Sequence, residues 1–252
     1  MIALQSVSKR FQHRGRPVTA LDNVTLEISK GDFVAVIGPS GSGKSTFLHL
    51  LGGMLSPTEG KVRIGGDSLY DLTSDERSAL RKQKIGFVFQ TFNLVPYLTA
   101  LENVQVPLVL AGVGEDEQKR RAESLLGRLG LSDRLDHKPC ELSVGQQQRV
   151  ALARMLANDP ALILADEPTG NLDPETAESI MDFLGELNRE GRTIVMVTHD
   201  LRLAGRAKRA LRLVNGTIQT NGEARAFAGN TGRQETGGPA EAICGSRCKV
   251  II

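Results

Sequence analysis

The sequence has no tryptophan, and aromatic residues make up only 4% of its 252 positions. Hydrophobic residues still account for 40% of the chain, so a sizeable core is available, built mainly from Val, Ile, Leu and Ala. Cysteine is also scarce: Cys140, Cys244 and Cys248 do not make a disulfide framework. We expect Cys140, just before a predicted helix, to be a reduced thiol. The pair Cys244 and Cys248 lacks the further ligands that a zinc site requires.

Long apolar runs are missing as well. The most apolar region, 93–113, is interrupted by proline, glutamate, asparagine and glutamine, so no stretch offers the roughly 20 apolar residues of a spanning helix. Residues 1–9 lack the pattern of a signal peptide. These absences predict a cytoplasmic protein that reaches a membrane only through partners. The net charge of +2 gives no electrostatic reason to expect a nucleic-acid partner.

Short apolar runs alternate with helical patterns along much of the chain. The runs Phe33–Ile37, 161–165 and Thr193–Val197 are continuous, which is typical of strands buried on both faces of a sheet. The alternation predicts an α/β fold with a mainly parallel sheet between helices. Helices are predicted at 44–54, 115–129 and 174–190 and a mostly helical region at 91–158, with further strands at 2–7, 24–28, 61–64 and 85–89.

A glycine-rich segment between a buried strand and a helix has the spacing of a P-loop. Its glycines allow backbone N–H groups to surround phosphate oxygens, and the following helix directs its positive end at the same charge. Lys44 can reach the β- and γ-phosphates, and the Ser45 hydroxyl can bind Mg²⁺. A glycine loop with a chance lysine is the alternative. The residues expected to bind the nucleotide here are Gly38, Pro39, Ser40, Gly41, Ser42, Gly43, Lys44, Ser45 and Thr46.

Three further side chains follow buried strands. Asp166 and Glu167 come after the run 161–165, at the end of a strand where ligands bind in open α/β sheets. Asp166 can hold Mg²⁺, and Glu167 can orient water for attack on the γ-phosphate. His199 follows Thr193–Val197, where an imidazole can hydrogen-bond the γ-phosphate. The alternatives are a turn capped by the two acids before Pro168 and a structural histidine.

Together these residues resemble the ATP-binding subunits of ABC transporters, and the decisive segment is Leu142-Ser143-Val144-Gly145-Gln146-Gln147-Gln148-Arg149. It looks like the signature sequence of that family, and its place between a P-loop and an Asp-Glu strand favours this interpretation over the alternative, a capped helix with a polar first turn. The resemblance implies a P-loop NTPase with a mainly parallel sheet core, an N-terminal antiparallel β subdomain and an inserted α-helical subdomain at 91–158. It covers residues 1–221, and 222–252 is expected to be a disordered tail.

The resemblance also implies that two subunits, either two copies of this chain or this chain and a paired motor, enclose two ATP molecules head-to-tail. Ser143, Gly145 and Gln146 of one subunit would then contact the nucleotide bound by the other, and Asp173 would lie at the seam. Gln90 is similar to the family glutamine that contacts Mg²⁺ or water and assists catalysis with Glu167 and His199. Phe11 lies where members of the family have an aromatic residue that packs against the adenine ring. The alternative is that its ring only packs against neighbouring side chains.

Val144 departs from the family pattern, which commonly has glycine at this position. A β-branched residue excludes left-handed backbone geometry, so catalysis would be weak if the site needs a positive φ.

Within the family, segments 89–96 and 169–173 resemble the branch that serves lipoprotein release and macrolide export. The expected partner is therefore an integral membrane permease, and the expected activity is Mg²⁺-dependent ATP hydrolysis coupled to transport. Part of the apolar segment 94–113 is expected to receive a short helix of the permease, or it packs internally. A motor that signals through a membrane partner without transport remains open. An ABC protein acting on DNA or in translation is disfavoured because long heptad segments, zinc modules and a second motor are absent.

Overall fold

A computed structural model describes residues 2–224. Met1 and residues 225–252, which include Cys244 and Cys248 and most of the predicted tail, lie outside the described residues. Within 2–224 the strands are β1 (Ile2–His13), β2 (Arg16–Ile28), β3 (Phe33–Ile37), β4 (Glu59–Ile64), β5 (Asp67–Ser68), β6 (Ile85–Val88), β7 (Leu162–Asp166), β8 (Thr193–Val197), β9 (Arg209–Val214) and β10 (Thr217–Glu223). The helices are α1 (Lys44–Leu51), α2 (Ser74–Lys84), α3 (Ala100–Leu110), α4 (Glu115–Arg128), α5 (Val144–Leu156), α6 (Pro174–Arg189) and α7 (Leu201–Ala204).

The described strands form two sheets. The larger has the order β10-β9-β3-β8-β7-β6, and all its neighbouring strands are parallel except the edge pair of β9 and β10. The smaller is antiparallel, with the order β2-β1-β4-β5. The predicted fold class, with a mainly parallel core and an N-terminal antiparallel part, is confirmed.

The core lies on both faces of the larger sheet because side chains alternate along each strand. On β3, Phe33, Ala35 and Ile37 join the cluster that helices α3 to α6 complete. Val34 and Val36 join a second cluster with α1 and the antiparallel sheet. All five residues of β3 are buried, which explains the unbroken apolar run in the sequence.

Several boundaries differ from the sequence predictions. The first helix ends at Leu51 instead of residue 54, because the glycine pair at 52–53 terminates it. In the region predicted as mostly helical, residues 91–99 form turns before α3 begins. Strand β10 pairs Gly222 and Glu223 with Ala210 and Arg209, so it extends two residues beyond the boundary predicted at 221. Helix α2 and strands β9 and β10 were not predicted. Their apolar residues do not recur at the regular spacing by which a helix or a strand is identified from sequence.

The helices begin at recognisable caps. Thr73 and Thr99 each form a reciprocal capping box with the glutamate three residues later. Asp173 accepts a hydrogen bond from the backbone N–H of Thr176, and Pro174 occupies the first position of α6. None of the helices in residues 2–224 is both long enough and apolar enough to traverse a bilayer.

The turns before α3 are held by Asn103, which is fully buried. Its amide donates to the carbonyls of Val95, Leu98 and Thr99, at 3.1, 3.1 and 2.9 Å, and its Oδ1 accepts from the backbone N–H of Val95 at 2.8 Å. One side chain therefore replaces the backbone pairing that an irregular segment lacks.

We expect Asn103→Leu to lower the free energy of unfolding by about 2 to 4 kcal/mol, because it leaves several buried backbone groups without partners. Urea denaturation monitored by circular dichroism measures the change. Gln105→Leu, at a half-buried position of the same helix, is the control and should change stability by less than about 1 kcal/mol. Equal effects of the two substitutions would contradict this role for Asn103.

Candidate functional site

The predicted phosphate loop follows β3 directly and has backbone geometry that other residues cannot adopt. Gly43 has φ of +101°, and a Cβ at this position would lie 2.2 Å from the carbonyl oxygen of Ala20. Gly43 also precedes α1 without a side-chain cap, so the first N–H groups of the helix remain available to an anion. The loop and the helix together form a concave set of backbone N–H groups of a kind that fits phosphate.

Lys44 lies inside this loop and is nearly buried, with 9% of its surface exposed. Its Nζ donates hydrogen bonds to the carbonyl oxygens of Gly38 and Pro39, each at 2.9 Å. The ammonium group is therefore held at the loop by backbone carbonyls, where it can exchange these partners for phosphate oxygens.

Ser45 and Asp166 approach each other from α1 and β7. The hydroxyl Oγ of Ser45 lies 3.4 Å from Oδ1 of Asp166. Burial raises the pKa of Asp166, and the hydrogen bond from Ser45 opposes the rise. A half-buried carboxylate that ionises at a cost is stabilised by a cation, and both side chains offer the oxygen ligands that Mg²⁺ prefers. The residues therefore fit Mg²⁺. In the described part of the chain no three His, Cys, Asp or Glu side chains are grouped so that they could hold a metal together.

Glu167 is held in a strained conformation beside His199. Its φ is +47°, a region that non-glycine residues rarely adopt and that often marks functional sites. The conformation is fixed by hydrogen bonds from its N–H to the carbonyl of Val197 at 3.0 Å and from the N–H of Gly170 to its carbonyl at 3.1 Å. Its Oε2 then lies 3.1 Å from Nδ1 of His199. A carboxylate and an imidazole are thus paired where β7 and β8 end, at the carboxyl ends of the parallel strands.

These elements line an open cavity of about 510 Å³, a volume typical of ligand pockets. It is bounded by the phosphate loop, by part of β2 and by the Glu167–His199 pair. Its lining residues are Val18, Thr19, Ala20, Ser40, Gly41, Gly43, Lys44, Ser45, Thr46, Glu167 and His199. The structure therefore brings together the phosphate loop, Glu167 and His199, with Asp166 adjoining through Ser45.

Gln90 lies next to this cavity. A Cβ at Gly170 would lie 3.1 Å from Nε2 of Gln90 and 3.3 Å from Oε2 of Glu167, so the two side chains flank the same glycine. The side-chain amide of Asn171 donates to the carbonyl of Gln90 at 3.1 Å. This bond joins the turn after β6, which contains Gln90, to the turn that follows Glu167.

Arg154 is a residue of the site region that sequence reasoning missed. From α5 its guanidinium donates to the carbonyls of Phe92 and Asn93, each at 2.6 Å. Phe92 and Asn93 have φ of +57° and +50°, so the turn after Gln90 is strained and needs such support. Burial lowers the pKa of Arg154. No sequence signal identifies this arginine, because its partners are backbone carbonyls about sixty residues away.

Phe11 does not line the cavity. It pairs across β1 and β2 with Val18, which does, and its ring is 38% exposed. The ammonium of Lys9 lies 5.1 Å from the ring centre, so one aromatic face is occupied by a cation.

The predicted signature residues also lie outside the cavity. Ser143 caps α5: its Oγ accepts from the N–H of Gln146 at 3.2 Å, and Oε1 of Gln146 accepts from the N–H of Ser143 at 2.9 Å. A Cβ at Gly145 would lie 2.9 Å from the Thr176 methyl of α6, so glycine permits close packing within the chain. The capped helix that the sequence left open is thus present. Asp173 caps α6, and the backbone N–H of Thr176 lowers its pKa.

Val144 is the first residue of α5 and has the negative φ of a helix, and its side chain is 48% exposed. The left-handed geometry that a β-branched residue excludes is therefore not required at this position.

Comparison with known proteins gives consistent results. A family profile described as "ABC transporter" matches residues 21–170. An uncharacterized ABC transporter ATP-binding protein of Thermotoga maritima is 52% identical over 80% of this chain and 86% of its own length. A macrolide export ATP-binding/permease protein, MacB, of Escherichia coli is 47% identical over 86% of this chain, but this chain covers only 34% of it. A dimeric structure of the Methanocaldococcus jannaschii cassette MJ0796, bound to ADP and Pi, has a TM-score of 0.84 and 46% identity, over 89% of this chain and 99% of that one.

We expect Asp166→Asn to raise the melting temperature of the nucleotide-free protein at neutral pH. The folded-state pKa of Asp166 is raised above its ordinary value of 3.8. The stability that the protonated side chain contributes is therefore complete below pH 3.8 and is lost as the pH rises through the folded-state pKa. The difference in melting temperature between Asp166→Asn and the unsubstituted protein should therefore be absent near pH 3.8, grow with rising pH and then level off. Thermal melts across pH measure it, with Asp67→Asn on the exposed end of β5 as control. A difference that does not vary with pH would contradict the burial argument.

Proposed function

The chain belongs to the ABC transporter family, as an ATP-binding subunit that hydrolyses ATP, and we propose that two copies close on two ATP molecules to drive an integral membrane permease. The observation that carries this proposal is the cavity of about 510 Å³ in which the phosphate loop faces Glu167 and His199. Such a site holds a polyphosphate at one wall and a base at the other, which is the arrangement that hydrolysis of a terminal phosphate needs.

Within one subunit the residues would divide the work as follows. The residues Gly38 to Thr46 bind the phosphates, with Lys44 reaching the β- and γ-phosphates. Ser45, Asp166 and Gln90 would hold Mg²⁺, which neutralises phosphate charge when bound. Glu167 orients and polarises the attacking water, and His199 hydrogen-bonds the γ-phosphate while it is paired with Glu167 at 3.1 Å. Phe11, beside Val18, would pack on the adenine.

The second half of each site would come from the other copy. Ser143, Gly145, Gln146 and Asp173 do not line the cavity of their own chain, yet Ser143 begins a helix whose positive end can bind phosphate. Head-to-tail pairing places this helix over the nucleotide of the partner. The MJ0796 cassette, which is 46% identical to this chain, has a dimeric structure bound to ADP and Pi, and this supports a pair of chains as the working unit.

The partner in the membrane would be a permease of the macrolide-export or lipoprotein-release type. The MacB relatives, which are ATP-binding/permease proteins, support this branch, and this chain corresponds to about a third of their length. The subunit would then work on the cytoplasmic face of the membrane, with a motor domain that extends through the end of β10 and with 91–158 as its helical subdomain.

The docking surface for the permease would lie on α3 and the turns before it. Tyr97, Val109 and Leu110 are 83, 56 and 68% exposed, and Val109 and Leu110 lie side by side at one groove, which makes their surface a contiguous apolar patch. A groove between α3 and α4, with a volume of about 290 Å³, is lined by Leu98, Glu102, Gln105, Val106, Val109, Leu110 and Gln118. Leu94 instead packs against the core, together with Leu101. The segment 94–113 is therefore divided between internal packing and an exposed apolar surface.

Glu167→Gln should preserve ATP binding, abolish turnover and trap a dimer on ATP, because the amide cannot activate water while both phosphate half-sites remain intact. Size-exclusion chromatography with light scattering, with and without Mg²⁺ and ATP, measures the dimer. Glu178→Gln, on the exposed face of α6, is the control and should retain activity. Full ATPase activity that does not depend on protein concentration, from a protein that stays monomeric, would contradict the shared site.

Charge on the docking surface should weaken partner binding without affecting nucleotide binding. We expect Tyr97→Glu and Leu110→Glu to reduce recovery of the permease from detergent-solubilised membranes at least tenfold, because a buried unpaired carboxylate opposes association. Mass spectrometry identifies and quantifies the captured permease, and a fluorescent ATP analogue reports nucleotide affinity. Met54→Glu, at an exposed apolar position outside the groove, is the control. Unaltered recovery with both variants would place the docking surface elsewhere.

A further inference from the structure

Gln148 is a fully buried polar residue on α5 that the proposed catalytic cycle does not use. Its Nε2 donates to the carbonyl oxygen of Pro168 at 2.6 Å, across 20 residues of sequence, and the side chain is 0% exposed. Its Oε1 has no hydrogen-bond partner among the residues that the structure describes. Burial of an amide with one end unsatisfied is unfavourable, so packing alone does not account for a glutamine at this position.

The bond joins two segments with distinct tasks. Gln148 lies five residues after Ser143, on the helix that would bind the nucleotide of the partner subunit. Pro168 directly follows Glu167, whose strained backbone directs its carboxylate into the cavity of its own chain. A shift of α5 would therefore pull on the residue next to Glu167.

A second contact connects the same two regions. Gly145 approaches the Thr176 methyl so closely that a Cβ would lie 2.9 Å from it, and Thr176 belongs to the first turn of α6. The first two turns of α5 thus contact both ends of the segment 168–176, at Pro168 and at Thr176. Such a packed unit shifts as one body, because close-packed interiors transmit displacement.

We infer that Gln148 is a positioning residue that couples the two ATP sites of the dimer. This rests on the proposed head-to-tail arrangement, in which Ser143 of a chain contacts the nucleotide of its partner while Glu167 acts on the nucleotide of its own chain. Gln148 then lies between half-sites that belong to different ATP molecules. Occupancy of one site moves α5, and the bond to Pro168 moves the backbone beside Glu167 into its working position in the other site.

The test is Gln148→Met, which keeps the volume of the side chain and removes the donor. We expect kcat to fall about tenfold and KM for ATP to change less than twofold, because the phosphate loop is untouched. The Hill coefficient for ATP should drop from above 1 to 1. In the Glu167→Gln background, Gln148→Met should still dimerise on ATP at the same nucleotide concentration, which separates nucleotide binding by the dimer from positioning of the base.

Asn188 provides the matched control. It is 6% exposed, and its amide donates to the carbonyls of Gly31 and Arg192 at 3.0 and 2.8 Å, near the amino ends of β3 and β8 and remote from the cavity. Asn188→Leu should lower the melting temperature at least as much as Gln148→Met, yet leave kcat and the Hill coefficient unchanged. If Gln148→Met does not fold, Gln148→Asn, whose amide is one methylene too short, takes its place in the same measurements.

The inference is overturned if kcat and the Hill coefficient survive in the Gln148 variants, or if Asn188→Leu lowers them to the same extent. Failure of the proposed function has a different result: the unsubstituted chain would then show no ATP hydrolysis, or Glu167→Gln would form no dimer with ATP.

Discussion

The parallel hydrogen-bond register of β3, β8 and β7 is the constraint on which the site depends. Val36 pairs with Val197, and Val197 pairs with Asp166, so the three strands end at the same level of the sheet. The phosphate loop, Glu167 and His199 each follow one of these ends, and a parallel sheet places all such ends at one edge. A slip by one residue in any of the strands would reverse its side chains and separate the loop from its base.

Signals that are local in sequence predicted the components of the site. The phosphate loop, Asp166, Glu167 and His199 all follow continuous apolar runs, because strands buried on both faces need such runs. The fold class followed from the alternation of these runs with helices and from the resemblance to ABC transporters. The in-trans role of Ser143 remains a prediction of that resemblance, since the single chain shows only its capping box with Gln146.

The connections between the components could not be predicted from the sequence. Arg154, Asn171 and Gln148 each bind a backbone carbonyl distant in sequence, and a backbone carbonyl has no residue type to recognise. Asn103 appeared only as a polar interruption of an apolar segment, whereas it organises the turns before α3. Helix α2 was missed because 11 residues bury a single leucine, so it has no apolar period to detect.

The bonds between Lys44 and the carbonyls of Gly38 and Pro39 have a consequence for nucleotide exchange. Inside the loop, the ammonium group of Lys44 gives these two carbonyl oxygens a positively charged partner. Entry of a triphosphate therefore substitutes one set of electrostatic partners for another and requires little rearrangement of the chain. Nucleotide exchange is thus in part a competition for one ammonium group, in which the carbonyl oxygens of Gly38 and Pro39 are the partners that phosphate oxygens have to displace.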